Sequence, residues 1–231
     1  MSSTNKILIS GYKSGFGKYA YSKLNKSKAL NRDNRDEVLK SEYKTIIHSA
    51  FSSNRTDDIN DYYDYVDSNI LLTNDLVKCR HERFIYISSL VVHDKKDSLY
   101  KRTKLMAESI VKNKSSNYLI VRVPAMLGTS IRPNTVTKMI KEKNFKTTLS
   151  DKSTFNYILH SDLFDFIMDE KNNGVINFLS KNNINLKRVN EIVKGNTIFG
   201  DYVFQTEMVD GIKTRTSDEV IERYKKIIRK Y

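Results

Sequence analysis

Lys6-Ile7-Leu8-Ile9-Ser10-Gly11-Tyr12-Lys13-Ser14-Gly15-Phe16-Gly17 runs a short apolar strand directly into a turn carrying three glycines. An apolar run closed by glycine reads as a buried parallel strand, and a helix is expected from Gly15 to about Leu24. Glycine serves three purposes in such a turn. It permits the sharp bend, lets the backbone approach a pyrophosphate, and lets helix and strand pack closely. The freed N–H groups at the helix start then face phosphate oxygens. Gly11, Lys13, Ser14, Gly15, Phe16 and Gly17 are thus the candidate phosphate seat of a dinucleotide, against the alternative of an ordinary strand–helix turn. The spacing is G-x-x-x-G-x-G, not the G-x-G-x-x-G of the dehydrogenase fingerprint.

The next strand covers residues 28–31 and ends Leu30-Asn31-Arg32, with an acid only at Asp33. An acid at that point binds a ribose 2′-hydroxyl, whereas arginine accommodates a 2′-phosphate. Asn31 and Arg32 therefore favour NADP(H) over NAD(H); the other reading makes Arg32 an exposed loop residue. Further strands fit residues 45–50, 83–88 and 118–123, alternating with helical patterns over 57–80 and 99–112. This alternation implies βαβ units in a doubly wound parallel α/β sheet, which binds ligands at the carboxyl ends of its strands. Past Gly128 the pattern loosens to a helix at 136–143, a strand at 155–160, a helix at 162–169 and a strand at 174–179. Leu186, Val189, Ile192 and Val193 share one helical face. Thr216-Ser217-Asp218-Glu219 is a capping box opening a last helix, with Val220, Tyr224, Ile227 and Ile228 on one stripe.

A chain of 231 residues with 39% hydrophobic and 29% charged residues can bury a proper core. Eight glycines and two prolines argue against long linkers. No apolar run approaches the roughly 18 residues of a membrane helix, so no membrane partner is expected. The opening lacks a basic region followed by an apolar stretch, so no secretory leader is expected. The single cysteine, Cys79, suits a reducing cytoplasm. The net charge of +13 reads either as a footprint for nucleic acid or as lysine spread over solvated faces. Lysines run from Lys6 to Lys230 without forming one arm, which favours the second reading and disfavours a nucleic-acid partner.

Tyr100-Lys101-Arg102-Thr103-Lys104 is Y-x-x-x-K at the start of a helix. Spacing by four sets the phenol and the ammonium on one face, where the cation favours tyrosinate and makes the phenol a usable acid or base. Upstream, Ser88-Ser89 ends a strand, where a hydroxyl can meet a substrate oxygen. The plain alternatives are a surface aromatic at a helix start and strand-end capping by the serines. His93 and His160 follow strand ends and are candidate substrate contacts, although such histidines more often serve structure. The four histidines show no metal-ligand spacing, so no metal is expected. Arg122, inside an apolar strand, is expected to pair with a buried carbonyl or acid, and Arg132 is a candidate for a substrate diphosphate.

Taken in order, these segments resemble the short-chain dehydrogenase/reductase superfamily, in its extended branch of nucleotide-sugar epimerases, dehydratases and reductases. The resemblance is carried by Ile9-Ser10-Gly11 with its glycine loop, Ile47-His48-Ser49-Ala50, Asn69, Phe84-Ile85-Tyr86-Ile87-Ser88-Ser89, Tyr100-x-x-x-Lys104 with Leu105-Met106-Ala107-Glu108, and Val121-Arg122-Val123-Pro124 with Gly128. Phe155-Asn156-Tyr157-Ile158-Leu159-His160-Ser161-Asp162 extends it. It implies a Rossmann-type fold over residues 1–231, with a small C-terminal substrate lobe from about 129–155 and 176–231. Tyr100 would be the general acid/base, Lys104 would hold the nicotinamide ribose, and Ser89 would polarise the substrate oxygen. Ser49, Ala50 and Phe51, with Asn69, Ile87 and Ser88, would line the cofactor cleft, and Pro124, Ala125 and Met126 would lie near the nicotinamide. Leu90, His93 and Arg132 complete the expected substrate contacts, and the helices at 57–80 and 99–112 would form a homodimer.

Three departures narrow the chemistry. The glycine spacing is nearer the single-domain branch. Only ten residues separate Ser89 from Tyr100, which removes most of a substrate-covering loop, and the chain is short. Leu90-Val91 follows Ser89, where family dehydratases carry an acid pair, so elimination is disfavoured. The layout is similar to nucleotide-sugar 4-ketoreductases of the dTDP-4-keto-rhamnose reductase type. Reduction of a keto-sugar nucleotide in polysaccharide biosynthesis is the first reading. Epimerisation of a similar substrate is the second, and a non-catalytic cofactor-binding sensor is the third.

Overall fold

A computed structural model describes residues 6–52 and 59–230. The chain begins with β1 (Ile7–Ser10), α1 (Gly15–Lys23), β2 (Lys28–Leu30), α2 (Arg35–Leu39) and β3 (Tyr43–His48). Next come α3 (Ile59–Val66), a π-helical turn (Asp67–Leu71), α4 (Leu72–Lys78), β4 (His81–Ser89), a short 3₁₀ turn (Leu90–His93), α5 (Leu99–Lys114) and β5 (Tyr118–Val123). The remainder is β6 (Ala125–Leu127), α6 (Thr135–Lys141), β7 (Thr154–Phe155), β8 (Tyr157–Leu159), α7 (His160–Met168), β9 (Gly174–Leu179), β10 (Ile184–Asn185), α8 (Leu186–Val193), β11 (Ile212–Lys213) and α9 (Ser217–Ile228).

The central sheet has seven parallel strands in the order β11-β9-β5-β4-β3-β1-β2, flanked by helices, so the doubly wound α/β fold expected from the sequence is the one found. After β2 pairs on one side of β1, the chain crosses to place β3 on the other, in register Leu8 to Lys28 and Leu8 to Ile46. That reversal makes a switch point at the carboxyl ends of β1 and β3, where a crevice opens in folds of this kind.

Two compact units divide the chain, residues 1–122 with 167–176 and residues 123–166 with 177–231. Each has its own core. In the first, Leu8, Ile46, Leu76, Phe84, Val111 and Ile120 are fully buried. Full burial of each such side chain contributes about 1.5–3 kcal/mol. In the second, Leu186 and Val189 from α8 meet Val220, Ile221 and Tyr224 from α9. The Thr216 capping box is present, with Thr216 Oγ1 accepting from Glu219 N and Glu219 accepting from Thr216 N.

Several elements differ from their sequence expectation for local reasons. The helical pattern over 57–80 contains a π turn, which turns Asn69 inward, and its first two residues lie outside the described ones. The strand expected over 155–160 breaks at Asn156, whose buried amide donates to the carbonyls of Ser180 and Asn182. The five-residue α2 and the short strands β6, β10 and β11 carry too few residues to show a period. No helix among the described residues is long and apolar enough to cross a membrane.

Candidate active site

The glycine turn is built as its sequence demands. Gly11 has φ +77°, a left-handed conformation that L side chains rarely adopt, and a Cβ there would lie 2.8 Å from Ala50 N. At Gly17 a Cβ would fall 2.4 Å from Gly11 O and 2.5 Å from Ser49 Oγ. Gly17→Ala is therefore expected to cost about 1–3 kcal/mol, as overpacking does, and to abolish cofactor binding. A thermal melt and a cofactor titration check it, and unchanged binding in the variant would remove the turn from the site.

Gly11, Tyr12, Lys13, Ser14, Leu30, Asn31 and Arg32 line a cleft of about 360 Å³ in the first unit. Five of the sequence-predicted residues thus meet in one concavity, with Tyr12 and Leu30 in addition. Gly15 and Phe16 begin α1, and no side chain caps its N-terminus at Ser14. Asn31 and Asn34 are locked together, each side-chain oxygen accepting from the other's backbone N–H at 2.8 and 2.9 Å. This reciprocal pair holds the loop from which the exposed Arg32 reaches the cleft. The residues fit a dinucleotide phosphate: a Cβ at Gly15 would meet no protein atom within 4 Å, and Lys13 and Arg32 line the cleft.

Below the turn runs a buried polar chain that sequence reading did not foresee. Ser10 Oγ lies 2.6 Å from His48 Nδ1, and His48 Nε2 lies 2.8 Å from Thr73 Oγ1. Thr73 Oγ1 in turn donates to Asn69 O at 3.1 Å. That direction makes Nε2 the protonated nitrogen and Nδ1 the acceptor from Ser10. Burial holds the imidazole neutral, with its pKa down at about 3, and the Lys104 charge adds to the effect. Ala50 N donates to Ser10 Oγ and Ser49 Oγ to Ser10 O, which ties the residues after β3 to the end of β1. Asn69 uses its amide on the Ser52 backbone, accepting from N at 2.9 Å and donating to O at 3.3 Å.

Tyr100 sits in the first turn of α5, capped by Ser98, whose Oγ accepts from Lys101 N. Four residues on, Lys104 is 3% exposed and donates to Ile87 O at 3.0 Å. Its ammonium lies 4.4 Å from the Phe51 ring centroid, 4.9 Å from that of Tyr86 and 6.0 Å from that of Tyr100. Phe51 stands edge-on to Tyr100 at 4.7 Å. Phe51, Ile87, Tyr100 and Lys104 are thus brought together. Burial pulls the Lys104 pKa down to about 7, while Glu108 pulls it up. Both the ammonium and the positive end of α5 favour negative charge at the Tyr100 oxygen.

The two serines divide their duties. Ser88 Oγ is buried and donates to Glu108 Oε1 at 2.6 Å, so its hydroxyl faces into α5. Ser89 Oγ accepts from Val91 N at 3.3 Å, capping the turn that follows, and its proton is left to give. Leu90 is buried and His93 exposed, with His93 Nε2 3.4 Å from Arg122 Nη1. Arg122 pairs with the buried acid the sequence led us to expect, which is Glu108.

Pro124, Ala125, Met126 and Arg132 belong to the second unit. There Ala125 is exposed, Met126 stands opposite Ile158 in the β6–β8 pair, and Arg132 is exposed. His160 is 1% exposed, and its ring packs so closely on Gly128 that a Cβ there would lie 2.1 Å from Nδ1. That burial, which lowers its pKa to about 4, makes it a core histidine rather than a substrate contact. Cys79 is buried, and its thiol pKa is pushed up to about 11 by that burial, which suppresses nucleophilicity. Among the described residues no group of three His, Cys, Asp or Glu comes together that could hold a metal ion.

The fold is shared with solved nucleotide-sugar enzymes. MoeE5 in complex with UDP-glucose and NAD is 15% identical, covering 97% of this chain and 99% of its own, at a TM-score of 0.80. The UDP-glucuronic acid 4-epimerase of Bacillus cereus, solved with UDP-glucuronic acid and NAD, is 18% identical over 97% and 99%, at 0.76. The dTDP-4-dehydrorhamnose reductase of Yersinia enterocolitica is 18% identical over 97% and 100%, at 0.77. No curated protein matches the chain in sequence. The family model that matches covers residues 7–153, from the first strand past the Tyr100/Lys104 helix, and the chain belongs to the NAD dependent epimerase/dehydratase family.

Proposed function

We propose that this protein is an NADP(H)-dependent reductase of a keto-sugar nucleotide, with Tyr100 as its proton donor. The observation that carries the reading is the Tyr100–Lys104 pair, held against Phe51 and Ile87 at the strand ends, with Leu90 and Val91 in the following turn offering no further acid or base. The glycine turn would seat the pyrophosphate, Asn31 and Arg32 the adenosine ribose, and Ser49, Ala50 and Phe51 the cofactor's inner half. When bound, the reduced nicotinamide supplies hydride. The protein's part is to give the Tyr100 proton to the substrate carbonyl oxygen, while Ser89 donates a hydrogen bond to the same oxygen. Lys104 stabilises the phenolate left behind. By resemblance the enzyme works in the cytoplasm as a homodimer and serves polysaccharide assembly.

Oxidation of NADPH in the presence of dTDP- and UDP-linked 4-keto sugars tests the reading. The second reading, 4-epimerisation, comes from the Bacillus cereus neighbour's own activity and requires the same three residues. It would show as sugar inversion without net consumption of reduced cofactor. Tight cofactor binding with neither outcome would leave a non-catalytic binding protein.

Arg32 makes the cofactor choice testable by itself. It lines the cleft and makes no ion pair among the described residues, which supports a role opposite a 2′-phosphate. Charge-assisted hydrogen bonds contribute about 1.5–3 kcal/mol, so Arg32→Ala is expected to weaken NADPH binding by about 10- to 100-fold. NADH binding should hardly change. Equal effects on the two cofactors in calorimetric titrations would remove the NADP preference.

A further inference from the structure

Tyr100, Lys104 and Glu108 lie at successive turns of one face of α5, and the last of them has no established duty. Glu108 is 1% exposed, and a carboxylate is kept in such a place only when it is paired. Arg122 Nε donates to Glu108 Oε1 at 3.0 Å and Arg122 Nη2 to Oε2 at 2.7 Å, a fork-on-fork contact from β5. Ser88 Oγ adds its bond to Oε1 from β4. Three elements thus fix one negative charge a helical turn away from a buried lysine.

The surroundings of Lys104 give that charge its purpose. From β4 the lysine meets Tyr86 and the Ile87 carbonyl, from the loop after β3 it meets Phe51, and on α5 it meets Tyr100. His48 on β3 is neutral, and Tyr65 on α3 stands by, bonded to Thr103. Of these neighbours only Glu108 carries a negative charge that raises the lysine's proton affinity, while burial lowers it. Arg122 is bonded to that carboxylate, and His93 Nε2 lies 3.4 Å from Arg122 Nη1.

We propose that Glu108, clamped by Arg122 and Ser88, is a positioning residue whose fixed carboxylate keeps Lys104 an ammonium inside its aromatic box, ready to stabilise charge on Tyr100. The proposal rests on the reading of Tyr100 and Lys104 as the reacting pair. Without the carboxylate the buried amine would hold its proton less tightly, and its hold on a phenolate would weaken.

The sign of the effect follows. The ammonium persists below the Lys104 pKa and is lost as pH rises through it, so activity should decline on that alkaline side. In Glu108→Gln the Lys104 midpoint, read by NMR on ¹³C,¹⁵N-lysine-labelled full-length protein, should fall by about one unit or more. The alkaline limb of kcat/KM should move toward acid by the same amount, and Glu108→Asp should restore part of both. The double variant Glu108→Gln/Arg122→Met removes both buried charges, which is often near neutral for stability, and should show the same lowered midpoint. An unmoved Lys104 midpoint in the folded variants overturns the proposal. A lowered midpoint in a protein that reduces no keto-sugar nucleotide upholds the charge role and sinks the reductase reading. Turnover with an unmoved midpoint does the reverse.

Discussion

Tyr100→Phe should cut kcat by about 10²- to 10⁴-fold, the span that a positioned acid or base contributes, while cofactor affinity stays at the parent level. The substitution deletes one oxygen and keeps the ring that Phe51 meets edge-on at 4.7 Å and that Lys104 faces at 6.0 Å. The aromatic box around the lysine therefore survives, as does the Lys104 bond to Ile87 O. What disappears is the proton and the seat of negative charge. Single-turnover measurements with bound cofactor separate this loss from slow product release. A variant that keeps its parent's rate would mean that another group supplies the proton, and Ser89, whose hydroxyl proton is free to donate, would be the first to examine.

Some interactions of this chain leave a trace in one dimension and others do not. The strands at 7–10 and 118–123 are legible because burial on both faces leaves apolar runs at 7–9 and 118–121, and α9 because its capping box and stripe agree. The Tyr100–Lys104 pair was legible because its spacing matches a helical turn. The partners of Ser88 and Arg122 were not, since Glu108 lies 20 and 14 residues away and is joined to them only by sheet and helix packing. Of the two serines, nothing local says that Ser88 turns inward to Glu108 while Ser89 caps the next turn; the alternation of a strand decides it. His48 was readable as part of a family motif, but its link from Ser10 to Thr73 spans 38 residues one way and 25 the other. The π turn that brings Asn69 inward has no sequence signature, because it adds a residue to the helix without altering its composition.

Those long-range partners also carry the largest effect on stability. Arg122→Leu should destabilise the protein by about 3–5 kcal/mol, because it strands a carboxylate in a place where water cannot reach it. Glu108 is 1% exposed at its side chain and Arg122 only 17%, so solvent screens the pair little. Leucine suits a strand position, and the side chain it replaces is only 17% exposed, so an apolar group there stays largely out of water. The loss would thus come from the orphaned acid and not from poor packing. At roughly 2–4 °C per kcal/mol for a chain of this size, the melting point should fall by about 6–20 °C. Adding Glu108→Gln to the same chain should recover most of that loss, since the remaining amide can still accept from Ser88 and no charge is left uncompensated. A single variant that melts with the parent would mean that the carboxylate is already protonated or hydrated, and the electrostatic hold on Lys104 would fail with it. Recovery in the double variant, together with a lysine that titrates earlier, would show one buried pair serving two ends: folding through Arg122 and chemistry through Lys104.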